Sequence, residues 1–360
     1  MKAVIFTKYG SPDVLELQDV EKPLPLNGEV LIRTLATSVN DWDAGIITGK
    51  PLFMRWWYGF RKPKPTIRII GCDVAGIVEA VGNGVTRFKM GDAVYGDLHA
   101  SGFGAYAEYV CANENHLALK PEALSFEQAG ATPHSATLAW QGLHGIVELR
   151  DGLKVLINGA GGGVGPIALQ LLKQQDIEVT GVDNASKLEL MQSLGFDHVI
   201  DYQKEDFTRS GKRYDIIFDT KTCYFPTRYL RVLRPGGSYI TVGGSTPRLF
   251  AAVILSRLIK RLSGKQFRLI GLRTAQGLEE MGPLFESGIL KPAVDGPFEL
   301  AQAADAIRYY LGGTQKGRIV IRVSTAGRAV APDCRKMSPS ISKGDITVDT
   351  APRPPVLFLP

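Results

Sequence analysis

One run constrains this chain more than any other: Val155-Leu-Ile-Asn-Gly-Ala-Gly-Gly-Gly-Val-Gly165, an apolar strand pattern that passes through a glycine turn into a helical pattern over residues 166–173. Ala160, Gly162 and Gly165 stand at the spacing A-x-G-x-x-G. The first small residue makes the tight turn, the second lets backbone approach an anion, and the third lets helix pack on strand. Gly161, Gly163 and Val164 complete the turn, and backbone N–H groups at the helix start face a pyrophosphate there, with the helix dipole adding to the attraction. Pro166 suits the first helical turn, having no N–H to leave unpaired and a φ already helical.

A glycine turn alone also joins strands to helices that bind nothing, so the flanks carry the argument. The helical pattern is followed by a second apolar strand, Ile177-Glu-Val-Thr-Gly-Val182, which ends in Asp183. That acid falls about twenty positions beyond the turn, where a carboxylate meets the adenosine ribose hydroxyls. Further strand patterns at residues 198–200, 215–219, 239–242 and 268–272 alternate with helical ones. Together they predict a doubly wound parallel sheet of six strands, with ligands beyond the strands' carboxyl ends.

Before this region the pattern differs. Short strands at residues 2–6, 29–37, 75–81, 93–95 and 105–111, punctuated by Gly and Pro, predict a β-rich, barrel-like domain. Ser125 with Gln128 three positions later starts the helical patterns. Beyond residue 275 a helix over 278–286, a proline-bounded strand and a helix over 301–311 lead to Gly317-Arg-Ile-Val-Ile-Arg-Val323. That last strand must pair somewhere, and the first domain is the natural place. Residues 324–360 are rich in Ser, Pro and scattered charge without a period, and are expected to be an extension outside the fold.

At 360 residues two domains are expected, and 44% hydrophobic with 22% charged residues is an ordinary globular composition. The net charge of +6 is mild. Basic residues concentrate only in residues 55–68 and 257–268, interleaved with apolar ones. No nucleic-acid motif accompanies them, so a solvated or phosphate-facing surface is expected and no nucleic-acid partner. The apolar stretch 249–262 is broken by Arg257, Lys260 and Arg261, which makes it too short and too charged to insert through a bilayer. Cys72, Cys111, Cys223 and Cys334 are widely spaced with no C-x-x-C, against both a disulfide framework and a structural zinc knuckle. With an N-terminus that begins directly in a strand pattern, these features predict a cytoplasmic protein.

In this order, several segments together resemble the medium-chain dehydrogenase/reductase superfamily, and within it the zinc-independent quinone oxidoreductase-like branch. They are the opening Met1-Lys-Ala-Val-Ile-Phe6, Gly71-x-Asp73-x-x-Gly76, Gly91-Asp-x-Val94-Tyr95, Gly104-Ala-Tyr-Ala-Glu-Tyr109, Ala139-Trp-Gln141, the glycine turn, His198-Val-Ile-Asp-Tyr202 and Gly317-Arg-Ile-Val-Ile321. The resemblance covers residues 1 to about 323. It implies an α/β protein, a GroES-like catalytic domain (1–125, with a return segment 275–323) around a Rossmann domain (126–274), an active site in the cleft between them, and a homodimer formed through Rossmann edge strands.

The motifs put Asn40, Cys72 with Asp73, and His134 where zinc-dependent relatives hold a catalytic metal. The structural cysteine quartet is missing, and Asn40 followed by Asp43 is what the quinone reductase branch tends to show. Where branch members often carry Tyr and Arg, this chain has Gly45 and Ile47. The implied chemistry is metal-free hydride transfer from a reduced nicotinamide to a quinone or an α,β-unsaturated carbonyl. Asn40 is the candidate donor to the substrate oxygen, or a pocket wall; Asp43 a cap or orienting group of its loop; His134 a further candidate catalytic residue. Trp42, Trp56, Trp57 and Tyr58 either cover the pocket or simply pack. Asp183 favours NAD, whereas Asn184, Ser186 and Lys187 favour the 2′-phosphate of NADP, the cofactor the branch mostly uses, and Tyr202 is a further candidate cofactor-binding residue. Val242, Gly243 and Gly244, ending a strand beside the cleft, would support the nicotinamide. Two alternatives stand beside this: a metal-dependent alcohol dehydrogenase with Cys72, Asp73 and His134 as ligands, and a non-catalytic nucleotide-binding interaction protein.

Overall fold

The computed structural model describes residues 1–52 and 54–323; the expectation for residues 324–360 lies outside them. The glycine run sits in the middle of a six-stranded sheet. The strand Lys154–Asn158 is flanked on one side by Glu178–Asp183 and His198–Asp201, and on the other by Tyr214–Asp219, Leu233–Thr241 and Gln266–Leu269. All these pairings are parallel. Numbered by appearance in the chain, the order across the sheet is 3-2-1-4-5-6, the doubly wound arrangement. Val155, Leu156 and Ile157 are fully buried, as expected of a central parallel strand covered on both faces. Two strands differ from expectation by more than one residue at an end. Leu233–Thr241 starts earlier and stops one residue short, so Val242, Gly243 and Gly244 form the turn after the strand. The edge strand is Gln266–Leu269, shifted toward the N-terminus from 268–272, because Gly264 in the left-handed region caps the helix Thr246–Ser263 just before it.

The second sheet has seven strands. Its path runs Val294–Glu299, Arg318–Arg322, Glu29–Ser38, Asp73–Val81, Ala93–Asp97 and Leu117–Leu119, with Tyr109–Asn113 pairing the first half of Glu29–Ser38. That strand begins at Tyr109 rather than residue 105 because residues 105–107 instead cross toward Lys2–Ile5 and residues 70–71. The long strand Glu29–Ser38 therefore changes partner along its length, meeting Tyr109–Asn113 at its start and Arg318–Arg322 at its end. This is how residues late in the chain come to lie beside Ser38 and Asp73.

The helix Pro133–Leu143 joins the two sheets. It packs on the helix that follows the glycine turn, Val164–Leu172, and on the strand Ala93–Asp97. Its buried Ala136 and Ala139 share one core with Val155, Ile157, Ala168 and Leu169 on the Rossmann side and with Ala75 and Tyr95 on the other. Pro133 starts it at a position where a missing N–H costs nothing, which fixes His134 and Ser135 in its first turn, facing the cleft.

Candidate active site

At the start of the helix Asp41–Thr48, Asn40 is the N-cap and Asp43 the third helical residue, and each satisfies the other. Asn40 Oδ1 accepts from the N–H groups of Trp42 at 2.9 Å and Asp43 at 3.4 Å, while Asp43 Oδ2 accepts from Asn40 N–H at 2.9 Å. Asp43 Oδ1 also accepts from Gly71 N–H at 3.0 Å, tying this turn to the segment that carries Cys72 and Asp73. Both residues are completely buried, and burial pushes the Asp43 carboxyl up to about 7, with the neighbouring Asp73 adding to the shift. The Asn40 amide nitrogen, Nδ2, has no hydrogen-bond partner. A buried donor left open is costly, and such groups concentrate where a ligand is received.

Asp73 and His134 do come together, in a way that removes them from a ligand set. Asp73 Oδ1 accepts from the backbone N–H of His134 at 2.8 Å, and Oδ2 from Ser38 Oγ at 2.6 Å and Arg318 Nη2 at 2.9 Å. The His134 ring turns the other way, with Nδ1 2.6 Å from Asp97 Oδ2. Asp97 Oδ1 holds the His99 ring at 3.1 Å, and His99 stacks on Trp42. Cys72 is fully buried, and burial first, then the surrounding carboxylates, push its thiol well above the ordinary range. Cys72, Asp73 and His134 therefore do not converge, and among the described residues no group of three His, Cys, Asp or Glu side chains is arranged to hold a metal ion.

Charge in this cleft is balanced in pairs. Burial alone would lower the His134 pKa, but the Asp97 carboxylate overrides it and raises it; burial would raise Asp97, but His134 and His99 hold it well below the usual carboxylate range. Arg318 is likewise kept charged against burial by Asp73. Asp97, His99, Ser135 and Arg318 are the site residues that sequence reasoning missed. Arg318 lies in the closing segment Gly317-Arg-Ile-Val-Ile321 but carries no local motif, and only the pairing of Arg318–Arg322 with Glu29–Ser38 brings it to Asp73.

The glycine turn has the form that a pyrophosphate requires. A Cβ at position 165 would lie 2.2 Å from the Ala160 carbonyl oxygen, whereas one at position 162 would meet nothing closer than 3.5 Å. The first glycine is thus demanded by packing and the second leaves open space for an approaching ligand. A Cβ at position 163 would strike Ser135 Oγ at 2.6 Å, and that hydroxyl is buried without a partner. Residues and vacant donors together fit a dinucleotide.

At the end of Glu178–Asp183 the arrangement differs from a free ribose-binding acid. Asp183 is buried, with Oδ2 accepting from Gly161 N–H and Oδ1 from Asn184 N–H, both at 2.9 Å, and with Lys187 Nζ 3.5 Å away. Lys187 is itself buried against Gly161, and burial lowers its pKa. The Asn184 side chain is spent locally: Nδ2 donates to the Gly313 carbonyl and Oδ1 accepts from Ser186, so it caps its own turn. Tyr202 is half exposed beside this end, its N–H bonded to the Asp183 carbonyl. Across the sheet, the Gly243 carbonyl accepts from Thr222 Oγ1 at 2.6 Å, and Gly244 takes a positive φ of 115° where a side chain would collide with the Lys221 carbonyl, which fixes the Val242–Gly243–Gly244 turn.

A cavity of about 1210 Å³ opens beside Trp42 and His99. Trp57 and Tyr58 also line it, but Trp56 does not and is 78% exposed, so the tryptophans do not form one cover.

A nucleotide cradle on a doubly wound sheet, facing a polar cleft built on a second β-rich unit, defines a two-part dinucleotide-dependent oxidoreductase. Comparison with known proteins agrees. Residues 26–122 match the alcohol dehydrogenase GroES-like domain and residues 194–321 match the zinc-binding dehydrogenase family. The 2-methylene-furan-3-one reductase of Solanum lycopersicum is 34% identical over 333 residues, covering 89% of this chain and 79% of the relative. The NADPH-dependent alkenal/one oxidoreductase, chloroplastic, of Arabidopsis thaliana is 33% identical, with the same coverage of 89% and 79%. The solved quinone oxidoreductase of Coxiella burnetii superposes with a TM-score of 0.79 at 27% identity, over 90% of this chain and 99% of that one. The chain belongs to the medium-chain dehydrogenase/reductase superfamily, in its zinc-independent quinone oxidoreductase-like branch.

Proposed function

We propose that the protein is an NAD(P)H-dependent oxidoreductase that reduces a quinone or an α,β-unsaturated carbonyl without a metal. The observation that carries this reading is the buried, unpartnered Nδ2 of Asn40. A bound nicotinamide supplies the hydride. Reduction places negative charge on the acceptor oxygen, and a fixed donor aimed at that charge lowers the barrier. Asn40 suits the task because its Oδ1 is pinned by two backbone N–H groups, which orients the amide nitrogen, and the weakly accepting Cys72 sulfur beside it is easily outcompeted by a developing oxyanion. His134, whose pKa the Asp97 carboxylate raises against burial, is the group placed to provide the proton that the reduced acceptor must gain. Asp43 is a positioning residue, since both its oxygens are committed to the backbone of the Asn40 and Gly71 turns.

For the cofactor, the turn of Ala160, Gly161, Gly162, Gly163, Val164 and Gly165 would seat the pyrophosphate, with donors from the helix start at Gly163 and Val164 and from Ser135 Oγ because the Ala160, Gly161 and Gly162 N–H groups are bonded within the protein, and Val242, Gly243 and Gly244 would hold the nicotinamide. NADP is favoured over NAD. The Asp183 carboxylate is turned inward and partly neutralised by Lys187, which lessens its repulsion of a 2′-phosphate; the half-exposed Tyr202 stands beside this end to receive it, and the exposed Ser186 hydroxyl would join it by exchanging its bond to Asn184. We further expect residues 126–274 to act as the nucleotide-binding unit, completed by the return segment 275–323, in a cytoplasmic homodimer paired through the edge strand Gln266–Leu269.

The test is oxidation of NADPH and NADH by the purified protein with quinones, enones and aldehydes, before and after chelation. Chelator-resistant turnover of a quinone or enone, faster with NADPH, is expected. Activity confined to aldehydes or alcohols and abolished by chelation would overturn the proposal.

A further inference from the structure

The two basic stretches, far apart in sequence, flank one cavity mouth. Residues 50–68 contain Lys50, Arg55, Arg61, Lys62, Lys64 and Arg68, and the helix Thr246–Ser263 contains Arg248, Arg257, Lys260 and Arg261; neither stretch has an acidic residue. None of these cations forms an ion pair among the described residues. On the helix Thr246–Ser263, Phe250, Ile254, Leu258 and Leu262 follow one another at a spacing of four, the row that forms a single stripe along a helix. All four are exposed, Ile254 at 73% and Leu262 at 77%. Ala252 and Ile259 point the other way into the core, so this helix is anchored by one face and presents a second apolar face outward. From the other stretch Leu52, Trp56 and Phe60 are exposed as well.

Phe250, Val253 and Trp57 belong to both surfaces at once, being exposed and lining the cavity, whose inner part reaches Trp42 and His99. The apolar outer patch is thus continuous with a mainly apolar cavity that reaches Trp42, whose backbone N–H bonds Asn40, and His99, which shares the Asp97 carboxylate with His134. An exposed apolar stripe edged by unpaired Arg and Lys, with tryptophan nearby, is the composition that lies in a lipid headgroup layer: apolar side chains sink, and cations meet lipid phosphates. No described helix is long and apolar enough to cross a membrane, which fits a surface contact rather than a span.

We propose that the helix Thr246–Ser263 and residues 50–68 dock the protein on an anionic lipid bilayer, and that the cavity takes its acceptor, a long-chain quinone or lipid-derived enone, from that layer. The docking half stands on the surface alone, and the substrate half rests on the reductase reading above.

The full chain, without cofactor or acceptor, is mixed with vesicles of phosphatidylcholine alone or with added phosphatidylglycerol, and co-sedimentation is measured. Binding to the anionic vesicles is expected to be at least about tenfold tighter than to the neutral ones. R257E/R261E is expected to abolish that difference, and I254S/L258S to weaken binding to anionic vesicles about tenfold or more. These four side chains are exposed and do not line the cavity, so turnover of a short, water-soluble acceptor should be unchanged in both variants, while turnover of a vesicle-borne long-chain quinone falls. Equal affinity for both vesicle types, or binding to neither, overturns the proposal. So does a parent dimer that I254S/L258S converts to monomer with vesicle binding intact, since the stripe would then belong to a second copy. Because sedimentation is read without catalysis, a failure of the reductase reading would show as absent turnover with vesicle binding preserved, and would remove only the substrate half.

Discussion

The glycine cradle and the charged cleft beneath Asn40 both prepare the interior of one groove for polar ligands, by different means. The cradle is made of contiguous backbone, and its demands are steric: Gly165 has no room for a methyl group against Ala160, while a methyl at Gly162 would make only an ordinary contact, at 3.5 Å. The cleft is made of side chains from Ser38, Asp73, Asp97, His134 and Arg318, and its demands are electrostatic, each buried charge being stable only because a specific partner is present. One should therefore fail by collision and the other by loss of a partner.

The largest expected effect is in the cleft. Arg318→Met leaves the Asp73 carboxylate buried without its cation, and removing one partner of a buried pair costs about 3–5 kcal/mol. Urea unfolding of the variant against the parent measures it; a loss near zero would mean that Ser38 and the His134 N–H suffice. In the cradle, Gly165→Ala should cost about 1–3 kcal/mol through backbone collision. Gly162→Ala should leave stability within about 0.5 kcal/mol of the parent yet weaken NADPH binding, because its methyl fills the space left for the ligand. Thermal unfolding paired with cofactor titration separates the two, and equal behaviour of both variants would break the steric account.

Titration sharpens the electrostatic side. His134 is raised by Asp97, so its contribution is whole below about pH 6.5 and lost as pH climbs through the raised value. Asp97 is depressed, so its contribution is whole above about pH 4 and lost as pH falls through the lowered value. The pair is strongest between those limits. Asp97→Asn removes the carboxylate that overrides burial and leaves Asp73 and Arg318 acting in opposite directions, so the His134 pKa should drop below its ordinary range, as NMR of the ring protons would show. The smallest effect is expected at Asp43, pushed up to about 7 by burial. A raised carboxyl favours the folded state at low pH, a contribution whole below about pH 4 and lost as pH rises through 7. Stability should therefore decline across that interval in the parent, and Asp43→Asn should flatten this decline.

The same contrast explains what the sequence disclosed. The cradle, its helix and the six parallel strands were readable because each rests on neighbouring residues: an apolar run, a glycine turn, an acid at a fixed distance. Asp43 was also readable as a cap of its loop, whereas the structure adds that Asn40, three residues before it, is the N-cap it pairs with. The partners of Asp73 and His134 were not. Arg318 and Asp97 reach them only through strand pairing between distant segments, and no local spacing encodes that. The motifs put Cys72, Asp73 and His134 at the metal positions of zinc-dependent relatives, yet side-chain direction decides otherwise, since His134 offers Asp73 its backbone N–H and points its ring at Asp97. Likewise Asp183 stands at the expected strand end but faces inward to Gly161 and Lys187, an orientation set by tertiary packing rather than by spacing.

The account turns on the open Asn40 amide, and Asn40→Ser tests it most directly, because serine keeps an acceptor for the helix cap while removing the amide donor. Steady-state kinetics with a quinone or enone, alongside cofactor titration and thermal unfolding, is the measurement. The expected result is a fall in kcat of about a hundredfold or more with cofactor affinity and stability close to the parent's. An unchanged kcat in a folded, cofactor-binding variant would contradict the assignment of Asn40 as the donor to the acceptor oxygen.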